Sequence, residues 1–124
     1  MDKKTKLTLA ELLKRKEQII AAKKTKKTQN LYVNSLGAII TIEEPEASLC
    51  RDVSDMEVGE GDKYMCYECI KEPDLKSKEV QDAFGCAVPM DIVEMIFAPG
   101  EIPQIAVECM KLAGYMDGVK QVKN

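Results

Sequence analysis

The 124-residue sequence contains no histidine and no tryptophan. Losing histidine removes the commonest general base and the commonest metal ligand together. Aromatic residues are scarce, at 4 Tyr and 2 Phe, so bases or sugars would find few rings to stack on. No apolar run is long enough to cross a membrane. None of the early apolar stretches has the length of a secretory signal behind its basic start. The Asp-x-Asp-x-Asp-Gly spacing of a calcium loop is missing. Gly59 and Gly61 flank Glu60 without the Lys-Ser/Thr ending of a phosphate loop. Together these absences argue against an enzyme.

The chain does hold 31% charged residues, 7 Met and 5 Cys. A length of 124 residues fits one domain with a tail. An odd number of cysteines without an export signal reads as reduced thiols in a cytoplasm. Cys66 and Cys69 form a C-x-x-C pair, and zinc would need Cys86 and Cys109 to complete a site. The pair lies within a helical stretch beside Met65, Tyr67 and Ile70, where free cysteine serves as a small core residue. The carboxylates Glu43, Glu44, Glu46, Asp52, Asp55, Glu57, Glu60 and Asp62 fall at helix starts and in polar loops, as a solvated face does.

Charge divides the chain unevenly. Residues 1–30 hold 10 basic and 3 acidic residues, a balance of +7, and residues 31–124 hold 8 and 18, a balance of −10, giving the overall −3. A basic arm is joined to an acidic body. In the arm, Thr8 and Glu11 make a capping box and a helix is expected from Leu9 to about Lys24. Its apolar face, Leu9, Leu12, Leu13, Ile19 and Ile20, is thin and needs a partner. The run Lys23, Lys24, Lys26, Lys27 lacks the arginines and aromatics that nucleic acid would call for. An acidic surface on another copy suits it better.

Leu31–Val33 and Ala38–Ile42 read as two strands of a hairpin, with Asn34–Gly37 as the turn. Pro45 opens a helix with a buried stripe of Leu49, Cys50, Val53 and Met56. The Gly59-Glu60-Gly61 stretch is expected to break it, with Asp62 capping a further helix from Lys63 to Lys71. Beyond Pro73 the punctuation marks three short helices. One is capped by Ser77 and stopped by Gly85. One opens at Pro89 and ends near Ala98. One follows Gly100, carries Pro103 in its first turn and ends before Gly114. The expected class is α+β, mainly α: short amphipathic helices with one small β-hairpin. The expected organisation is a basic arm over 1–30, a mainly helical domain over 31–115 and a mobile tail over 116–124.

One ordered set of motifs goes further. It runs Glu72-Pro73-Asp74-Leu75, Phe84-Gly85, Val88-Pro89, Ala98-Pro99-Gly100-Glu101-Ile102, then Leu112-Ala113-Gly114-Tyr115. This order and spacing resembles the XkdN-like tail assembly chaperones of phages and phage-derived tail elements. The resemblance is strongest over Tyr64–Tyr115, weaker over Leu31–Val58, and does not reach the arm. It implies a mainly helical α+β domain that oligomerises, without catalysis or cofactor, in the bacterial host cytoplasm. It implies the tape measure protein as partner, with the tail tube protein as a second, and no membrane. The face expected to meet the client is Met90, Val93, Phe97, Ile102, Ile105 and Met110. The alternative reading is a small helical nucleic-acid-binding or regulatory module that uses the basic arm.

Overall fold

A computed structural model describes residues 5–123. The chain forms two units, the arm up to Lys26 with the tail from Lys120, and a body from Lys27 to Val119.

The arm is helical but not as one rod. Thr8 caps α1 (Leu9–Lys14) by accepting the Glu11 N–H at 3.2 Å. Glu11 does not complete the capping box. Its carboxylate takes Arg15 Nε at 2.8 Å instead. Arg15, at φ −91° and ψ 3°, breaks the expected continuous helix, and α2 (Lys16–Lys24) follows. Neither helix buries a residue.

In the body, β1 (Thr28–Val33) and β2 (Ala38–Glu43) pair antiparallel, with Leu31 opposite Ile40 and Tyr32 opposite Ile39. Gly37 closes the turn at φ 59°, a left-handed conformation that costs glycine little. Period-two alternation sends Val33, Ile40 and Ile42 inward. Tyr32 and Ile39 stand on the opposite face, about two-thirds exposed at 65% and 63%.

Next come α3 (Ala47–Ser54) and α4 (Val58–Cys69). Met56 lies past the end of α3 and is exposed, so the stripe of that helix is Leu49, Cys50 and Val53. The expected break at Gly59–Gly61 is absent: α4 runs straight through both glycines. The reason is tertiary. A Cβ on Gly61 would sit 2.9 Å from the Val53 carbonyl oxygen, so this glycine lets α3 and α4 approach closely. The helix also ends earlier than Lys71. Ile70–Glu72 forms β3, which pairs antiparallel with β2 and makes the sheet three-stranded, order β1-β2-β3. A two-stranded hairpin is marginal alone; here the third strand comes from the same chain.

The remaining helices follow their punctuation. Ser77 caps α5 (Lys78–Phe84) by accepting the Val80 N–H, and Gly85 closes it at φ 66°. Pro89 opens a single 3₁₀ turn that leads into α6 (Ile92–Ile96). α7 (Glu101–Leu112) ends with Gly114 at φ 94° and the Tyr115 N–H on the Met110 carbonyl, at 3.1 Å. That is the 6→1 bond of a Schellman motif. The described residues thus hold seven α-helices and one three-stranded antiparallel sheet, an α+β fold that is mainly α.

At the centre, α4 packs against α3, α6 and α7. Met65, Cys66, Ile92, Val93 and Cys109 are fully covered, and Cys69, Ile105 and Ala106 close the layer toward β2. Glu101 ties the hairpin to the start of α7. Its carboxylate accepts the Ser35 hydroxyl at 2.8 Å, the Ser35 N–H at 3.0 Å and the Ala98 N–H at 2.9 Å. These bonds, the Ser35 hydroxyl first, hold its pKa below the usual carboxylate value. The stability they lend is present above the unfolded pKa and is lost as pH falls through the folded one.

The two glycines of α4 give opposite expectations. Gly61→Ala should destabilise by about 1–3 kcal/mol, because the new methyl must push α3 away. Gly59 has nothing within 4 Å of its Cβ position, so Gly59→Ala should stabilise by up to about 1 kcal/mol. Urea unfolding of both variants checks the pair.

Candidate functional site

The structure separates the sequence-derived face into core and surface. Val93 is fully buried and Ile105 is 4% exposed, so neither presents a side-chain face to a partner in this fold. Met90 is half-buried in the 3₁₀ turn, and Met110 packs partly against the core. Phe97 and Ile102 are also largely covered, but they come together at the base of one groove.

Three elements make that groove. The first turns of α4 supply Val58, Gly59 and Asp62. The end of α6 supplies Glu94 and Phe97. The connection into α7 supplies Pro99, Ile102 and Pro103. It holds about 440 Å³, within the range of pockets that seat a ligand or a few anchoring side chains. Two prolines, Phe97, Ile102 and Val58 make its walls apolar, with Asp62 and Glu94 at the rim. Val58 is 83% exposed, which is unusual for an aliphatic side chain beside an apolar groove. Pro99 and Pro103 read in the sequence only as helix punctuation, and Val58 carried no reading of its own; no local pattern marked them as walls. A smaller groove of about 230 Å³ lies between β1 and α7, where Leu31, Tyr32 and Ile105 meet Glu101 and Glu108.

The acidic rim is held in shape by one lysine. The Lys63 ammonium donates to Asp91 at 3.0 Å and to Glu94 at 3.2 Å, with Glu60 at 3.6 Å. Its side chain is only 9% exposed, while the three carboxylates remain 43–61% exposed. One cation among three anions leaves the cluster net negative, with Asp62 alongside. The hydrogen bond that Lys63 donates to Asp91 foremost raises its pKa, against the opposing effect of burial. Partial burial pushes the Asp62 carboxyl upward as well.

The cysteines belong to the interior. Cys66 donates to the Ile102 carbonyl at 3.4 Å, and Cys69 lies 3.5 Å from the Met65 sulfur. Burial pushes the Cys66 thiol up to about 12. A hydrogen bond with Cys69, and then burial, holds Cys109 above its ordinary value. Thiols in that state are poor nucleophiles and poor ligands. Cys86 sits apart, against Met95 at 3.7 Å. Among the described residues no three His, Cys, Asp or Glu side chains cluster as a metal site would need. No helix of the described residues is long and apolar enough to cross a membrane.

An acid-rimmed apolar groove suits binding. The family model for the phage XkdN-like tail assembly chaperone protein matches residues 2–124. The chain belongs to that family. The match takes in the arm, which the motifs of the sequence had left outside the resemblance, so arm and body are one family unit. Phage tail assembly is therefore the setting in which the protein acts. No curated protein and no solved structure matches the chain.

Replacing the buried ammonium tests the cluster. Lys63→Met should cost about 1–2 kcal/mol, since charged hydrogen bonds are lost but water still screens the half-exposed carboxylates. The stabilisation from Lys63 is present below the unfolded lysine pKa and is lost as pH rises through the raised folded value. The wild type should therefore lose its advantage over Lys63→Met as pH rises into strongly alkaline solution, read as converging urea midpoints.

Proposed function

We propose that the protein is a non-catalytic chaperone that holds the tape measure protein soluble in the host cytoplasm while the tail tube assembles around it. The reading rests on the family and on the groove over Phe97 and Ile102. A tape measure is a long helical chain with apolar stripes, and such stripes aggregate when left uncovered. A groove that accepts a few apolar anchors from a helix is the usual answer to such a client. Of the six residues expected to meet it, Phe97 and Ile102 line this groove and Ile105 lines the smaller one, while Val93 is buried and Met90 and Met110 line neither. The tail tube protein is the second partner, reached through the same assembly.

The one observation that carries the proposal is the pairing of exposed Val58 with the Pro99–Pro103 wall across an apolar floor. Co-expression with the cognate tape measure protein tests it. The wild type should keep the client in the soluble fraction. Val58→Glu combined with Pro103→Glu changes only exposed positions, and should return the client to the pellet while circular dichroism stays unchanged. A folded variant that works as well as wild type would place the client elsewhere. A wild type that leaves the client insoluble would refute the client itself.

A further inference from the structure

The arm carries an unspent binding surface. Leu9 and Leu13, one helical turn apart on α1, are 72% and 63% exposed, with Leu12 beside them at 41%. Lys14, Arg15 and Lys16 follow directly, all exposed. A six-residue helix such as α1 gains too little from its own backbone bonds to stand alone in water. Its apolar stripe calls for a groove, and its charge calls for acid.

The body offers both in one place. The groove of Val58, Phe97, Pro99, Ile102 and Pro103 is apolar, and Asp62 and Glu94 stand on its rim. Asp91 and Glu60 lie next to Glu94 around the single Lys63 cation. The charge split of +7 over residues 1–30 against −10 over residues 31–124 points the same way. The lysine run does not have the aromatic and arginine interleaving of a nucleic-acid arm.

We propose that the groove between α4 and the α6–α7 connection takes the α1 helix of a second copy of this chain. Leu9 and Leu13 seat over Phe97 and Ile102, and Lys14 and Lys16 meet Asp62 and Glu94. The contact joins different patches on the two copies, so exchange of two arms closes a dimer, whereas one-way docking builds a chain. It draws on the groove alone and not on the identity of the client. The two proposals therefore fail separately.

Sedimentation velocity of the purified full-length protein, without client, is the test. The wild type should self-associate, more weakly as salt is raised. An arm variant, Leu9→Glu with Leu13→Glu, and a groove variant, Val58→Lys with Asp62→Lys, should each move the association midpoint to at least about tenfold higher concentration. Mixed together they should recover association, because one keeps an intact groove and the other an intact arm. A second arm variant, Lys14→Glu with Lys16→Glu, leaves the leucines in place and should behave like the first. Circular dichroism confirms that each variant is folded. A wild type that is monomeric at every concentration would overturn the proposal. So would variants that associate like wild type, or a mixture of folded variants that stays monomeric, which would put the arm on its own body or on another face.

Discussion

The close packing of α4 on α7 is the constraint on which the body depends. Cys66 and Cys69 of α4 and Ala106 and Cys109 of α7 are small, and small residues let two helices approach and still fill the space between them. The Cys66 and Cys109 thiols are pressed far enough from water that ionisation is disfavoured, so they act as apolar spacers. On one side of this pair the sheet lays Val33, Ile40 and Ile42; on the other, α3 closes in through the notch at Gly61. The groove is a consequence of the same packing. Ile102 is drawn inward by α4, and its carbonyl receives the Cys66 thiol. The prolines that start α7 are then left as a wall opposite Val58.

The helix punctuation was legible because it is local. Ser77, Gly85, Pro89, Pro103 and Gly114 act within a turn or two of themselves, and each lies where its backbone chemistry requires. Features that depend on distant partners were not legible. Ile70–Glu72 looks like the end of a helix, and becomes a strand because β2 presents an open edge. Gly61 looks like a breaker, and is instead a contact with Val53 across helices. Helical spacing placed Val93, Phe97, Ile102 and Ile105 on one apolar face. It could not say which of them the body would keep for itself. Val58 and Asp62 of α4 lie more than 30 residues before Glu94 of α6, and only folding brings them to one groove.

Charge organises what packing does not. The acidic body and basic arm lie in one family unit, and Asp62 and Glu94 line the apolar groove. Lys63 keeps three carboxylates near that opening without neutralising them. A groove with this rim favours helices that carry basic residues beside an apolar stripe, and discriminates against acidic ones. Under the two proposals made above, the same physics would serve a tail protein client and the arm of a neighbouring chaperone, and two occupants of one groove would compete by mass action.

Amide hydrogen exchange with and without the tape measure protein tests the central claim most directly. Binding in the groove should add protection at residues 58–62 and 94–103 and leave the outer face of the β1–β2 hairpin unchanged. Protection confined to that hairpin, or none anywhere in a complex shown to have formed, would contradict it.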